Sequence, residues 1–213
     1  MNKNPLAGEE LLELCADAAL DGLSVVAVAV DTGEVVSVVF GKLQEAPSES
    51  SEKSFFEIFS EERCKQASSR AVMDMMVDLD ARCNFFERYG VDCSVELIFL
   101  GTHRDHRQKG LAKMVCQKSI ELAKKFKEGP VAPMTVQDLG PQYAFMKPRK
   151  PTNKMPKICH ALWSAIGSQK IGKDLGFTVL VTASLKDYVF DGKPYSERIG
   201  FETFCEGAAM RID

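Results

Sequence analysis

The residues best suited to chemistry lie in one run, THRDHRQKGLA from Thr102 to Ala112, between a strand-like segment (94–102) and a helical one (111–126). A strand that turns tightly into a helix leaves several backbone N–H groups unpaired at the positive end of the helix dipole, and that combination binds phosphate. Gly110 lets the main chain approach such a ligand, Ala112 removes bulk, and Arg107, Lys109 and Lys113 add fixed positive charge. The nucleotide fingerprints GxGxxG and GxxxxGK[ST] are absent, the second because Gly110 is preceded by Lys109 and followed by Leu111. His103 and His106 flank the loop and are candidates for assisting proton removal, but are read first as exposed residues or helpers of phosphate binding. His160 alternates with apolar residues on a strand and is expected to be a satisfied, partly buried residue. Cys159 beside it faces the other side of that strand, so the two make a poor nucleophile–base dyad.

These residues need a frame, and the hydrophobic periodicity supplies one. Residues 9–20 carry Leu11, Leu14, Cys15 and Ala18 at helical spacing, with Gly22 as a stop. Two valine-rich segments, 23–30 and 34–43, read as a β-hairpin around Asp31-Thr32-Gly33. A polar loop (46–53) follows. Apolar positions from Ala71 to Phe86 then recur at spacings of three and four, which predicts one long helix over 60–89 ended by Gly90. After the 111–126 helix, the stretch 130–156 holds six prolines and reads as a partly ordered loop over the site. A short strand (158–163), a helix (164–175), a long strand (177–190) turning at Asp191-Gly192 and a last strand (204–212) complete the chain. The expectation is a single α/β (α+β) domain over residues 1–213, with a mixed sheet and helices on both faces.

Composition bounds the function classes. The 213 residues include 27 basic and 30 acidic ones, so general attraction to nucleic acid or anionic lipid is not expected. Residues 104–157 nevertheless hold 13 basic residues against four acids, a local balance of +9 inside a remainder of -12, which suits a phosphate-bearing ligand. Seven cysteines without a CxxC pair disfavour a disulfide framework or zinc site and point to a reducing, cytoplasmic setting. No long apolar run or secretory leader is visible.

Arg107-x-x-Gly110-x-Ala112, placed between a strand and an amphipathic helix, resembles motif A of the GCN5-related N-acetyltransferases, [RQ]-x-x-G-x-[GA]. Leu175-Gly176-Phe177 closes a helix before a strand as that family's LGF element does, with Ser168-Gln169-Lys170-Ile171 leading into it. Together with ICHALW (158–163) and Asp191-Gly192-Lys193, the chain from about Leu11 onward resembles the insect arylalkylamine N-acetyltransferase-like subgroup.

The resemblance implies an acetyl-CoA-dependent N-acetyltransferase. Its acceptor would be a small primary amine, arylalkylamine or polyamine-like, acetylated by direct transfer in a ternary complex. It implies a sheet whose strands 94–102 and 158–163 splay to admit the CoA pantetheine. Backbone groups of Leu100, Gly101 and Thr102 would hold the acetyl end, and the segment Arg107, Gln108, Lys109, Gly110, Leu111 and Ala112 the pyrophosphate. Ser164 and Ser168, four apart and so expected on one helix face, match two serines implicated in substrate binding and catalysis in the subgroup. Trp163, Phe55, Phe56, Phe59, Phe85, Phe86 and Tyr143 are candidates for an aryl pocket, most of them expected in the core.

Three features depart from the family. No tyrosine stands near Gly172 and Lys173, no proline-histidine pair lies near the C-terminus, and the first strand and helix, with their glutamate base, are expected to be missing. These departures motivate the alternative of a CoA-binding homologue with impaired catalysis. The expected partners are the amine and acetyl-CoA, with no metal, nucleic acid or membrane, and the chain is expected to be a monomer.

Overall fold

The computed structural model describes residues 4–47, 53–129, 134–149, 152–200 and 203–213. Helix α1 (Pro5–Ala19) starts on Asn4, whose side chain accepts from the Ala7 amide, and buries Leu11 and Leu14. Strands β1 (Val25–Val28) and β2 (Val35–Glu45) form the expected hairpin. Helices α2 (Phe55–Arg63), α3 (Ala67–Cys83) and α4 (Phe85–Tyr89) lead to β3 (Cys93–Thr102). Helix α5 (Leu111–Lys124), strand β4 (Ile158–Trp163), helix α6 (Ile166–Leu175) and strand β5 (Thr178–Ser184) follow. A two-stranded ribbon of β6 (Val189–Phe190) and β7 (Lys193–Pro194), helix α7 (Tyr195–Ile199) and strand β8 (Phe204–Arg211) end the chain.

The main sheet has six strands in the order β1-β2-β3-β4-β8-β5. Every neighbouring pair is antiparallel except β3 with β4. Its two faces are closed by different helices, as expected for a mixed sheet. On one face Val95 and Leu97 of β3 and Cys159 and Ala161 of β4 pack against Val115, Cys116 and Ile120 of α5 and the indole of Trp163. On the other, Leu11 and Leu14 of α1 meet Phe56, Phe59, Met73 and Met76 of α2 and α3. Gly207 lets α3 come down directly on β8, because a Cβ there would collide with the Cys83 sulfur.

Three segments differ from the periodicity. The single helix expected over 60–89 is three helices. Its first break, at Cys64 to Gln66, is fixed from outside: the Glu10 carboxylate of α1 accepts from the amides of Lys65 and Gln66 and caps α3 in place of a local side chain. Its second break is Asn84, whose φ of 45° stops α3 and starts α4. The long strand expected over 177–190 ends at Ser184, where the Asp187 amide donates back to the Ser184 carbonyl. The Asp191-Gly192 turn instead serves the small β6–β7 ribbon, with both residues at positive φ.

The proline-rich segment lies on the α1 side. Its described part forms 3-10 turns over Val136–Leu139 and Pro141–Tyr143, and Arg149 reaches Asp17 at 2.6 Å and Asp21 at 2.5 Å. Lys42 of β2 joins the same two carboxylates at 3.0 and 3.4 Å. The loop expected over the site is, in its described part, a strap across α1 and β2. Its residues 130–133 and 150–151 lie outside the described residues.

Lys42 and Asp21 have side chains only 4% and 3% exposed, so removing one charge leaves its partner buried without full compensation. Lys42→Met should lower the stability by about 3 kcal/mol, read as a shift of the urea midpoint at constant slope; an unchanged midpoint would show the four charges to be dispensable.

Candidate functional site

Strands β3 and β4 pair only from Ser94↔Ile158 to Leu97↔Ala161. Beyond that point β3 continues with β2 as far as Ser37↔Thr102, and β4 continues with β8 as far as Trp163↔Glu206. The two strands therefore part into a fork. A register break coincides with its base: Phe40 pairs with Phe99 and Gly41 with Leu97, leaving Ile98 as the extra residue of a bulge. Burial along β3 falls from complete over residues 93–97 to partial at Leu100 and Thr102, with Gly101 exposed. Leu100, Gly101 and Thr102 are thus on the arm of β3 that has lost its β4 partner.

The loop that leaves this arm has the geometry of an anion cradle. After a 3-10 turn over Arg104–His106 the chain takes positive φ at Gln108 (61°) and Gly110 (77°), the kind of alternation that turns successive N–H groups to one side. Gly110 is the N-cap of α5 and no side chain caps that helix, so its first-turn amides, those of Leu111 and Ala112 included, are left for solvent or a ligand. Nothing lies within 4 Å of where a Gly110 Cβ would be, so the cradle is open. Arg107, Gln108 and Lys109 are exposed around it, and the Arg107 Nε donates to the Thr102 carbonyl at 3.3 Å. Lys113 points to Asp174 at 3.8 Å, linking α5 to α6. His103 and His106 pack edge to face, 5.9 Å between ring centres, beside Asp105.

The two serines are arranged differently from their expected common helix face. Helix α6 begins at Ile166, so Ser164 lies before it, exposed at the end of β4. Ser168 is in the first turn, where its hydroxyl donates to the Ala165 carbonyl at 2.8 Å and accepts from the Ala165 amide at 3.2 Å. It closes the helix start as a capping side chain does.

A cluster that sequence reasoning missed lies just beneath the fork. Glu96 and His160 are register partners on β3 and β4, one step before the last pair of the ladder. Alternation along the strands turns them to the face of α1–α4. There Asp80 of α3 meets them: one ligand atom from each of the three lies within 4.8 Å of the others. Glu96 is fully buried and His160 is 2% exposed. The Gln44 amide holds the Glu96 Oε2 at 2.9 Å, Ser94 Oγ lies 3.1 Å from the His160 Nε2, and the Phe85 ring stacks on the imidazole with centres 4.2 Å apart. Asp80 Oδ1, Glu96 Oε1 and His160 Nδ1 have no hydrogen-bond partner. The histidine is therefore more deeply buried than expected and only half satisfied. Burial pushes the Asp80 carboxyl up to about 7, raises Glu96 well above the carboxylate range with help from the Asp80 charge, and pushes His160 down to about 3.

Asp80 and His160 also line a cavity of about 680 Å³ whose walls include Phe55, Phe56, Phe85 and Phe86. Four of the aromatic residues named from the sequence thus converge. Phe59 stays in the core, and Trp163 packs edge to face on Phe177 on the opposite side of the sheet. The signal for the cluster was present: Asp80 shares the Met73, Met76 and Cys83 stripe of α3, and Glu96 occupies an inward position of a strand buried on both faces.

The thiols are all free. Burial raises every one of them, Cys83, Cys93, Cys116 and Cys205 to about 12. None is a thiolate nucleophile near neutrality.

A forked mixed sheet with an uncapped helix behind the loop of its first arm is the fold of the GCN5-related N-acetyltransferases, in the form seen in insect arylalkylamine N-acetyltransferases. The chain is similar to the crystal structure of arylalkylamine N-acetyltransferase 2 from Aedes aegypti, with TM-score 0.68 and 18% identity over 95% of this chain and 79% of that one. It is also similar to mosquito arylalkylamine N-acetyltransferase like 5b, with TM-score 0.62 and 15% identity over 89% and 74% of the two chains. For Drosophila melanogaster polyamine N-acetyltransferase, which catalyses formation of N-acetylagmatine, the values are TM-score 0.60 and 12% identity over 89% and 75%. No protein-family model matches the sequence, and no curated protein matches it by sequence either.

Two outcomes are expected. Gly110→Glu should remove measurable affinity for CoA by calorimetry while the far-UV spectrum stays unchanged, because the side chain fills the cradle and opposes an anion; equal affinity would show that the phosphate does not bind there. The folded-state Asp80 carboxyl titrates above its unfolded value, so the folded chain holds the extra proton and stability should fall as pH rises from about 4 through 7. Asp80→Asn should flatten that fall in urea unfolding at pH 5 and pH 8, and equal slopes for the two chains would refute the assignment.

Proposed function

We propose that this chain transfers the acetyl group of acetyl-CoA to a small primary amine, arylalkylamine or polyamine-like, by direct transfer in a ternary complex. The observation that carries this reading is the coincidence of three features on one side of the sheet: the fork, the bulge at its base and the open amide cradle one loop beyond. The residues present fit CoA. A pantetheine is an extended chain of amides that can pair with the arm of β3 at Leu100, Gly101 and Thr102, and a pyrophosphate suits the positive φ at Gln108 and Gly110 and the first-turn amides of α5. Arg107 and Lys109 add charge to that anion site.

Acetyl-CoA supplies an activated thioester; the chain's own residues orient it and handle protons. The amine must arrive or become neutral to attack, and the departing sulfur must be stabilised or protonated. Ser164 is proposed for the sulfur side, since it is exposed where β4 ends beside the fork. Ser168 holds the start of α6 and is proposed to act by keeping Ser164 and that helix in place. Direct transfer is supported by the buried, high-pKa thiols, which leave no cysteine ready to accept an acyl group.

The test is thiol release from acetyl-CoA against a panel of amines, with acetylated product followed by mass spectrometry. Amine-dependent release is expected, lowered about tenfold or more by Ser164→Ala. CoA binding without any amine-dependent release would instead select a CoA-binding protein that does not turn over.

A further inference from the structure

We propose that Asp80, Glu96 and His160 form a subsite for a primary ammonium group, which holds the nitrogen end of an aralkyl or alkyl amine at the inner end of the Phe55–Phe85 cavity. Naming that ligand as the acetyl acceptor rests on the function proposed above; the subsite itself does not.

The first observation is the set of unsatisfied atoms. Buried polar groups find partners, and three buried orphans in one place ask for a shared ligand. All three can be acceptors. Asp80 and Glu96 each offer an unpaired carboxyl oxygen, charged once an ammonium displaces the proton that burial favours, and His160 offers a bare Nδ1 when its Nε2–H donates to Ser94 Oγ, 3.1 Å away. Burial keeps that imidazole neutral, which is the form with a free lone pair.

The second observation is proximity: the three side chains come close enough to share one cation. An R–NH3+ group has three donors at the tetrahedral angle, and bonds of about 2.9 Å then set their acceptors about 4.7 Å apart. A divalent ion with ligands at about 2.1 Å in tetrahedral array needs donors about 3.4 Å apart. One ligand atom from each residue lies within 4.8 Å of the others, close enough for a single ammonium to reach all three; that limit admits the metal spacing too, so the aromatic walls and the zinc arm of the experiment make the distinction.

The third observation is what surrounds the atoms. Glu96 is held in place by Gln44, and His160 by Ser94 and Phe85, so two of the three acceptors are preorganised. Lys42 pairs across the ladder with Glu96, but its ammonium is taken by Asp17 and Asp21. The two carboxyls of the cluster therefore remain available to an incoming cation, which removes the penalty of burying them unpaired. The phenyl walls suit an apolar substituent and add attraction for the cationic end.

The experiment is calorimetry on the full chain with three probes of one shape: 2-phenylethylamine, its N,N,N-trimethyl derivative and 2-phenylethanol. Binding of the primary amine at least tenfold tighter than of either other probe is expected, because only it brings both the charge and three N–H donors. Asp80→Asn and Glu96→Gln should each weaken the amine at least tenfold and leave CoA affinity unchanged. Equal binding of the trimethyl compound, or unchanged amine affinity in Asp80→Asn, would overturn the subsite; Asp80 is only partly buried, so that variant decides the matter if Glu96→Gln does not fold. Stoichiometric zinc or manganese binding that excludes the amine would overturn it in favour of a metal centre. Retained amine selectivity in a chain that does not bind CoA would sink the acetyl-transfer reading while leaving the subsite standing.

Discussion

One local event in the sheet governs the arrangement of the site: the ladder between β3 and β4 stops at Leu97 and Ala161, where Ile98 is inserted against β2. A bulge bends its strand and raises its twist, so β3 turns away from β4 while each strand keeps its other neighbour. Because β2 and β8 hold the two arms, the gap is a property of the paired sheet and costs no unsupported strand. The loop to α5 leaves from the end of the β3 arm, and α6 follows the end of the β4 arm. Cradle and serines are thereby set on either side of one opening by the two strands that make it.

The same register decides the chemistry on the other face. Alternation places Val95 and Leu97 toward α5 and leaves Glu96 toward α3, and the parallel pairing puts His160 beside it. Two ionisable residues in the middle of a sheet are expensive to bury and would ordinarily be paired. Here each has one partner and one free atom, and Gly207, by admitting α3 close to β8, brings a second carboxyl down on them. A buried pair of acids with raised proton affinity next to a neutral imidazole is a high-energy arrangement that a cationic ligand relieves.

Much of this frame was readable before the structure. The glycine loop before α5, the strands β3 and β4, α5 itself and the Leu175-Gly176-Phe177 corner were visible because each is written in a short stretch: an apolar strand, a glycine, a helix start. What escaped was written across distance. The break between α2 and α3 depends on Glu10, more than fifty residues earlier, and no local rule places that carboxylate over the Lys65 and Gln66 amides. The mistaken helix phase of Ser164 came from extending α6 two residues beyond its true start. The Asp80–Glu96–His160 group joins three elements, and in sequence each member looked like a polar residue on an otherwise apolar pattern. Asp80 lies within the methionine-rich buried stripe of α3, whose apolar periodicity gives a single acid inside it no separate signal.

The cysteines carry a further consequence. They are spread from α1 to β8, six of the seven are buried, and every thiol is held in its protonated form by its apolar setting. A thiol-alkylating reagent meets little reactive sulfur on the folded surface, so its uptake counts the excursions in which a given part of the molecule opens. Mapped by peptide, Cys116 on the buried face of α5, Cys83 against β8 and Cys64 between α2 and α3 become separate clocks for three regions of one small domain.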